Sequence, residues 1–288
     1  MSAKRAASYR INIIFATAST LDSVDLKGTT ALVTGANRGI GRALVQRLCE
    51  LPLSTVLAGV RSTESFDAPA SPPGGAQAVR AVRMDLSSRA SIEECCNELA
   101  VELGKIDLLV NNAGLMTGGL LEQQSIEEVY AMFQVNLVAV AHLTGRVLPG
   151  MLERHSGTIV NNASISGYAH FPAASTYAAS KAGVVALTES LRRELRGTGV
   201  HAMHLVTPGV ATEMLHDTDE VYGRHMDTSG WDRIPPEQWA AKVVSAIEAD
   251  RRVLGPGGRS GLALLASHAP TFVLDAVTAR LFTRQPRR

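Results

Sequence analysis

A tyrosine and a lysine stand four residues apart in Tyr177-Ala-Ala-Ser-Lys181, and Ser164 lies thirteen residues before the tyrosine. Positions i and i+4 of a helix share one face, so the phenol and the ammonium can point into the same site. A lysine beside a phenol favours the phenolate and lowers its pKa, which suits the tyrosine to proton transfer near neutral pH. We therefore expect Tyr177 to act as a general acid or base.

A glycine-rich segment near the front of the chain predicts a nucleotide site. The strand-like run Thr30-Ala-Leu-Val33 leads into Thr34-Gly35-Ala-Asn37-Arg38-Gly39-Ile40-Gly41. Gly35 allows a tight turn, while Gly39 and Gly41 let the backbone approach a pyrophosphate and let the next helix pack closely. The positive end of that helix then faces the phosphates. By itself this segment also fits an ordinary strand–helix turn; together with a tuned phenol it predicts redox chemistry between carbonyls and alcohols.

Composition excludes several classes of protein. The chain has 288 residues, of which 45% are hydrophobic and 19% charged, with a net charge of +1. These values fit a globular protein with a sizeable core and give no reason to expect a nucleic-acid partner. No apolar run approaches the roughly 18 residues of a spanning helix, so we expect no transmembrane span.

Cysteine and histidine placement argues against disulfides and metals. Cys95 and Cys96 are adjacent and can hardly bridge each other, and Cys49 could pair with only one of them. We expect reduced thiols and a cytoplasmic location. His201 and His204 fall on a probable strand, where an offset of three places them on opposite faces, so no metal site is predicted.

The chain divides into a leader, one domain and an extension. Residues 1–25 loosely imitate a signal peptide, but the apolar run Ile11–Phe15 is too short, which favours a disordered leader or a misplaced translation start. Residues 26–258 form the predicted domain, within which the polar segment 213–235 is interpreted as a mobile flap. A helix is expected from Pro236 to about Ala249. Residues 259–288 form an apolar C-terminal extension that could form amphipathic helices packed on the protein itself.

Alternating strand-like and helix-like segments predict a single-domain α/β fold with a Rossmann-type, doubly wound parallel sheet. The predicted strands are Thr30–Val33, Thr55–Val60, Val79–Met84, Leu108–Val110, Thr158–Val160 and Val200–Val206. The predicted helices are Gly39–Glu50, Ser91–Leu103, Ser125–His155 and Tyr177–Arg196. The Ser-x-x-Glu pattern predicts helix caps at Ser91 and Ser125. The proline- and glycine-rich stretch from Arg61 to Ala78 is expected to be mostly loop.

Seven motifs in order resemble those of the short-chain dehydrogenase/reductases, over roughly Leu26 to Leu254. They are Thr34-Gly35-x-x-x-Gly39-Ile40-Gly41, Asp85-Leu86, Asn111-Asn112-Ala113-Gly114, Asn136, Ser164, Tyr177-x-x-x-Lys181 and Pro208-Gly209. Any one of these motifs is weak alone, since Tyr-x-x-x-Lys occurs by chance in many helices. Their order and spacing make a false match improbable.

The resemblance implies a catalytic set of four residues. Tyr177 exchanges a proton with the substrate oxygen as hydride moves to or from the nicotinamide, and Ser164 hydrogen-bonds that oxygen. Lys181 lowers the pKa of the phenol and binds the nicotinamide ribose. Asn136 holds a water that links Lys181 to solvent, the alternative being a polar residue on an exposed helix face.

The resemblance also implies a cofactor-binding set. It consists of Gly35, Asn37, Arg38, Gly39, Ile40, Gly41, Arg61, Asp85, Leu86, Asn112, Ala113, Gly114, Tyr177, Lys181, Pro208, Gly209, Val210 and Thr212. Asp85 is expected at the adenine amino group, whereas Asn112 serves equally well as a turn residue or a ligand contact. Arg61 and Arg38 offer two guanidiniums for a ribose phosphate, which predicts NADP(H) over NAD(H), with NAD(H) possible. The alternative is two solvated surface arginines.

Two features depart from the family pattern. Thr212 follows Pro208-Gly209 one residue earlier than usual, which leaves its role open. The usual closing strand is replaced by Arg252-Val-Leu-Gly-Pro-Gly-Gly258 and an apolar tail. The tail region often contributes an interface in this family, so a homo-oligomer is possible but not predicted.

The predicted function is NADP(H)-dependent interconversion of a ketone or aldehyde and an alcohol. The substrate pocket is expected to be lined by Ile165, Tyr168, His170, Phe171 and the flap. This lining suggests a mainly apolar small-molecule substrate. An alternative is a catalytically silent NADP-binding sensor or scaffold on the same fold. An epimerase or dehydratase would also keep the tyrosine and lysine, but usually has a longer C-terminal substrate domain.

Overall fold

The computed structural model describes residues 24–285, so residues 1–23 of the predicted leader lie outside the described part of the chain. Seven parallel strands form one sheet in the order β3-β2-β1-β4-β5-β6-β7. Their bounds are β1 Thr30–Thr34, β2 Thr55–Val60, β3 Ala78–Arg83, β4 Leu108–Asn111, β5 Gly157–Asn162, β6 Val200–Leu205 and β7 Val253–Leu254. The predicted doubly wound sheet is therefore confirmed.

Helices cover both faces of this sheet. Their bounds are α1 Gly39–Cys49, α2 Arg89–Glu98, α3 Ala100–Leu103, α4 Ile126–Phe133, α5 Ala139–Arg154, α6 Ser175–Glu194, α7 Glu213–Gly223, α8 Pro236–Glu248, α9 Gly258–Ser267 and α10 Thr271–Leu281. Short 3-10 turns lie at Leu121–Gln123 and Ile165–Gly167. No helix stands between β2 and β3 in this described region, as the prolines and glycines there predict.

Buried apolar side chains on the two faces of the sheet explain why the strand sequences lack polar alternation. On one face, Leu44 of α1 and Trp239 of α8 belong to one core cluster together with Val33 and Val56 of the strands. On the other face, α2, α5 and α6 contribute a second cluster that includes Leu143 and packs on the strands. The central strands are thus enclosed, and their carboxyl ends are held rigidly at one edge of the sheet.

Two details of the helices differ from the sequence predictions. Ser88, not Ser91, caps α2: its hydroxyl accepts a hydrogen bond from the Ser91 backbone N–H at 3.2 Å. Ser91 instead accepts a bond from the Asp85 backbone N–H at 3.1 Å, since the helix begins a turn earlier than its capping-box pattern indicates. The predicted cap at Ser125 is confirmed.

One helical segment, Ile126–Arg154, is long and apolar enough to cross a membrane by length and composition alone. It comprises α4, a π turn at Gln134–Val138 and α5. Leu143, Val147 and Met151 of this segment pack in the second core cluster against the sheet. We interpret the segment as a core helix of the α/β fold.

The C-terminal half contains elements that the sequence left undefined. Val253–Leu254 pairs with β6, so a short closing strand is present where we expected it to be replaced. This strand was not predicted because two apolar residues before a glycine-rich turn are too short a run to indicate a strand. The flap, residues 213–235, begins with α7, and the extension folds as a helical hairpin of α9 and α10.

Candidate active site

The phenol and the ammonium lie together on one face of α6. Tyr177 and Lys181 are both almost completely buried, and the Lys181 Nζ lies 5.9 Å from the centroid of the Tyr177 ring. Ser164 follows β5 and opens a 3-10 turn, in which its Oγ accepts a hydrogen bond from the Ser166 backbone N–H at 3.1 Å. The Ser164 hydroxyl is close enough to the Tyr177 phenol to favour its ionised form, which lowers the pKa of the phenol. The three groups are therefore one cluster.

The largest influence on the pKa of the Tyr177 phenol is its burial, and not the neighbouring lysine. Burial raises the pKa of Tyr177 to about 12, and the nearby Ser164 hydroxyl only partly opposes this. Burial also lowers the pKa of Lys181 to about 8, because a charged ammonium loses hydration there. The expected lowering of the phenol's pKa by Lys181 is therefore not seen in the protein by itself, where burial outweighs it.

Lys181 is held by a residue that the sequence analysis missed. Its Nζ donates to the Asn162 backbone oxygen at 2.7 Å. The Asn162 side chain donates to Asn112 Oδ1 at 3.1 Å and accepts from Thr207 Oγ1 at 2.5 Å. Asn162 thereby ties the ends of β4, β5 and β6 to the lysine. The polar pair that ends the otherwise apolar strand β5, two residues before Ser164, was the available signal.

Asn136 lies in the π turn between α4 and α5. It is buried, which removes the alternative of an exposed helix face. Its side chain accepts from the Leu115 backbone N–H at 2.8 Å and donates to the Leu115 oxygen at 2.9 Å and to Ser180 Oγ at 3.0 Å. A π turn is rare and often marks a functional site. Here it ties Asn136 to the loop after β4 and to α6.

The glycine loop turns sharply between β1 and α1. Gly35 has φ of +66°, and a Cβ there would approach Ala113 Cα to 2.9 Å. A Cβ on Gly41 would come within 2.0 Å of the Gly35 oxygen, so only glycine allows this close packing. The amino end of α1, with its unpaired N–H groups, consequently faces the space above the sheet.

One cavity of about 1090 Å³ connects the glycine loop with the tyrosine. Every residue of the predicted cofactor-binding set lines it, as do Ser164 and Thr207. Asn136 does not line it and reaches the site only through its contacts. Asn112 lines the cavity, and its Nδ2 donates to the Thr34 backbone oxygen at 3.0 Å.

Two arginines lie at the end of the cavity where a ribose phosphate is expected. Arg61 and Arg38 both line it. Burial opposes ionisation of Asp85, but hydrogen bonds from Ser87 and the charges of Arg61 and Arg83 hold its pKa below the usual range. Arg38 is engaged elsewhere, in an exposed ion pair of 3.0 Å with Glu213 of α7.

Thr212 has a structural role at the start of the flap. It is the N-cap of α7, and its hydroxyl accepts from the Leu215 backbone N–H at 3.4 Å and donates to the Val210 oxygen at 3.3 Å. Its methyl group also lies against Gly39. The early position of the threonine therefore serves to begin the flap helix beside the glycine loop.

The substrate end of the cavity differs from the prediction. Ile165 and Phe171 line it, whereas Tyr168 and His170 do not. The Tyr168 hydroxyl lies 2.6 Å from Nε2 of buried His204, and His170 is exposed. Apolar residues of the flap and of the C-terminal hairpin complete the wall: Met214, Leu215, Trp231, Leu262, Ala263, Ala266, Leu274, Val277 and Leu281. The hairpin's part was not predicted, because its contact with the cavity is long-range.

Among the residues that the structure describes, no group of His, Cys, Asp or Glu could hold a metal ion. Within the same range, Cys49, Cys95 and Cys96 are free and buried.

A family model described as short chain dehydrogenase matches residues 29–222, more than half of the chain. The chain belongs to the short-chain dehydrogenase family. A 3-oxoacyl-acyl-carrier-protein reductase, FabG, from Haemophilus influenzae is 32% identical over 235 residues, which are 78% of this chain and 92% of that protein. As a member of this family, the protein is an oxidoreductase, as its motifs predict.

Solved structures of this family share the fold. A short chain dehydrogenase from Burkholderia cenocepacia in complex with NADP aligns with a TM-score of 0.74 at 26% identity, over 90% of this chain and all of that one. A short-chain dehydrogenase from Sphingobium yanoikuyae in complex with NADPH aligns with a TM-score of 0.65 at 26% identity, over 78% and 87% of the two chains. The single-domain Rossmann-type fold predicted for the chain is thus confirmed.

Proposed function

We propose that this short-chain dehydrogenase interconverts a ketone or aldehyde and an alcohol with NADP(H), using Tyr177 as general acid or base. One observation carries the proposal: Ser164, Tyr177 and Lys181 line the same cavity as the glycine loop. A proton donor, an orienting hydroxyl and a nucleotide-shaped cleft converge there, which is what carbonyl reduction requires.

The residues along the cavity fit a dinucleotide. The amino end of α1 and the glycine loop suit a pyrophosphate, and Arg38 with Arg61 suits a ribose phosphate. When bound, the nicotinamide supplies or accepts hydride, and its oxidised form adds positive charge near the phenol. The solved relatives with NADP and NADPH support the choice of phosphorylated cofactor.

Residues of the protein itself donate and accept the proton that is transferred in the reaction. In reduction, Ser164 donates a hydrogen bond to the carbonyl oxygen, and Tyr177 gives that oxygen its phenolic proton. The phenolate left on Tyr177 is stabilised by Lys181, whose ammonium is 5.9 Å from the ring centroid. Since burial alone raises the phenol's pKa, the charge of Lys181 together with that of a bound oxidised nicotinamide would make proton transfer feasible.

The substrate class follows from the cavity wall. Met116, Phe171, Trp231 and the hairpin leucines give an apolar surface beside Tyr177. We propose an apolar carbonyl compound as substrate; the 3-oxoacyl group named for the Haemophilus relative has the same chemistry, a ketone on an apolar chain. Three buried free thiols support a cytoplasmic location, where thiols stay reduced.

The test is a screen of ketones, aldehydes and alcohols followed at the NADPH absorbance. We expect Tyr177→Phe to lower kcat by about 10²–10⁴-fold, the usual worth of a positioned proton donor, while the Kd for NADPH stays within about twofold. Tyr130→Phe, on exposed Tyr130 of α4, is the matched control and should retain full activity. Turnover that survives Tyr177→Phe would exclude this mechanism.

The same assay separates the remaining alternatives. A tenfold preference in kcat/KM for NADH over NADPH would overturn the cofactor assignment. Tight NADPH binding without turnover of any carbonyl compound would favour the silent sensor or scaffold. The proximity of Ser164, Tyr177 and Lys181 argues against that outcome, because nucleotide binding alone needs no proton donor beside the ring.

A further inference from the structure

The C-terminal hairpin, residues 258–281, exposes apolar side chains that no part of the described protein covers. Neither α9 nor α10 has a single buried residue, although both are rich in Leu, Val, Phe and Ala. Leu265 is 72% and Phe272 68% exposed, and neither lines the cavity. Exposed apolar side chains concentrated on one element in this way indicate an interaction site.

The hairpin is attached to the body at its two ends. At its start, Asp232 of the flap accepts hydrogen bonds from the backbone N–H groups of Ser260 at 2.8 Å and Arg259 at 3.4 Å. At its end, the Thr283 N–H donates to the His225 oxygen at 2.7 Å, and Arg284 pairs with Glu122 at 2.5 Å. Between these ends the ring of His268 lies 6.1 Å from that of Tyr168, so the hairpin is held on the body while Leu265 and Phe272 stay exposed.

Charge is distributed unevenly between this region and the rest of the chain. Residues 259–288 contain five arginines and one aspartate, a net charge of +4 in a chain whose total is +1, so the rest carries −3. Arg259 precedes the apolar stretch and lies beside Asp232, Arg280 stands in the last turn of α10, and Arg284 follows in an exposed ion pair with Glu122. Apolar side chains bordered by arginines match an anionic bilayer, whose acyl boundary accepts leucine and phenylalanine while its headgroups attract guanidinium.

The cavity reaches the surface at the same place. Leu262 and Val277 line the cavity and are also 68% and 46% exposed, which puts them at its rim. The hairpin helices have 10 and 11 residues, far fewer than the roughly 20 needed to cross a bilayer. The arrangement suits contact with the surface of a membrane and not insertion through it.

We propose that the hairpin docks the protein on the surface of anionic phospholipid bilayers. Leu265 and Phe272 enter the acyl boundary, and Arg259 and Arg280 remain at the headgroups. If the substrate is apolar, which rests on the proposed function, the rim at Leu262 and Val277 then opens toward the lipid phase that holds it. Docking itself requires neither turnover nor bound nucleotide.

The test measures binding of the full-length protein to vesicles of phosphatidylcholine, alone and mixed with phosphatidylglycerol, by flotation. We expect binding to the mixed vesicles that weakens with added salt, because the arginine contribution is screened. Leu265→Glu and Phe272→Glu should each lower the partition coefficient by about tenfold or more. Arg280→Gln should lower it on the order of fivefold and only on phosphatidylglycerol.

The matched control is Val101→Glu on α3, where the valine is 70% exposed outside the hairpin. It should bind vesicles as the unchanged protein does, and all variants should keep their circular dichroism and their Kd for NADPH. Absence of binding to mixed vesicles, or equal binding by Leu265→Glu, overturns the proposal. Dimers in light scattering that Leu265→Glu splits would assign the face to a second copy and also overturn it. A failure of carbonyl reduction with normal vesicle binding would count only against the proposed function.

Discussion

At the scale of single residues, the site depends on two buried groups whose ionisation burial opposes. The buried polar atoms of Tyr177 and Lys181 both have polar neighbours: Ser164 is near the phenol, and the Asn162 backbone oxygen accepts a hydrogen bond from Lys181 Nζ. A buried ammonium with few neighbours costs stability whenever it is charged. This cost can be measured through the pH dependence of folding.

Lys181 leads to a prediction about stability against pH. Its pKa is lowered from 10.5 to about 8 in the folded protein, so between these values the unfolded chain binds more protons and stability rises with pH. From pH 7.5 to 9.5 the free energy of unfolding should rise by about 2 kcal/mol relative to Lys181→Met. Urea unfolding of both proteins measures the difference, with Lys242→Met, at an exposed lysine of α8, as control for the lost charge.

The window for this experiment ends near pH 10. Burial raises the pKa of Tyr177 to about 12, so above its ordinary value of 10 the unfolded chain loses a proton that the folded protein keeps. That group therefore removes stability as pH rises beyond 10. A difference between the unchanged protein and Lys181→Met that stays constant from pH 7.5 to 9.5 would show that the lysine is not desolvated.

At the scale of elements, the start of the flap helix α7 contacts the glycine loop through one van der Waals contact and one ion pair. The Thr212 methyl lies against Gly39, and Glu213 pairs with Arg38. The ion pair is exposed, and exposed pairs contribute at most about 1 kcal/mol. Arg38 can therefore exchange Glu213 for a ribose phosphate at small cost, which connects the cofactor to the flap.

This contact predicts a change in cofactor affinity. Glu213→Gln should lower the Kd for NADPH by about two- to fivefold, because Arg38 no longer has to leave a carboxylate, and should leave the Kd for NADH unchanged. Fluorescence titration with both nucleotides measures this, with Arg38→Ala as the opposite variant, which should weaken only NADPH binding. Equal changes for the two nucleotides would indicate that Arg38 does not contact the phosphate.

At the scale of the whole molecule, the core and the cavity wall belong to different parts of the chain. Both core clusters that enclose the sheet consist of residues before the hairpin, and Leu254 is the last residue packed against them. Leu281 alone of the hairpin packs with a third, small cluster around Tyr222 and Met226. The hairpin thus completes the cavity without supporting the fold.

A variant that ends at Gly257 should therefore stay folded. We expect Tm to fall by only a few degrees, at about 2–4 °C per kcal/mol lost, because few apolar contacts disappear. KM for an apolar carbonyl substrate should rise at least about tenfold, since Leu262, Leu274 and Val277 leave the cavity wall. Thermal unfolding and steady-state kinetics test the two parts, and loss of cooperative unfolding would contradict the first.

The sequence by itself determined the sheet and the family of oxidoreductases to which the chain belongs. Apolar runs without alternation predicted the first six strands, because parallel strands enclosed on both faces need no polar side, and local spacing on one helix brought Tyr177 and Lys181 together. Every residue assigned to the cofactor lies along one cavity, since the carboxyl ends of parallel strands converge at one edge.

Tertiary structure decided what depends on distant contacts and on burial. It placed the Asn162 backbone oxygen against Lys181, the Tyr168 hydroxyl against His204, and the C-terminal hairpin over the cavity. The last two contacts have no local signal in the sequence. Tertiary structure also reversed the expected shift in the acidity of Tyr177, because desolvation depends on everything packed around the phenol and not on the one lysine beside it in sequence.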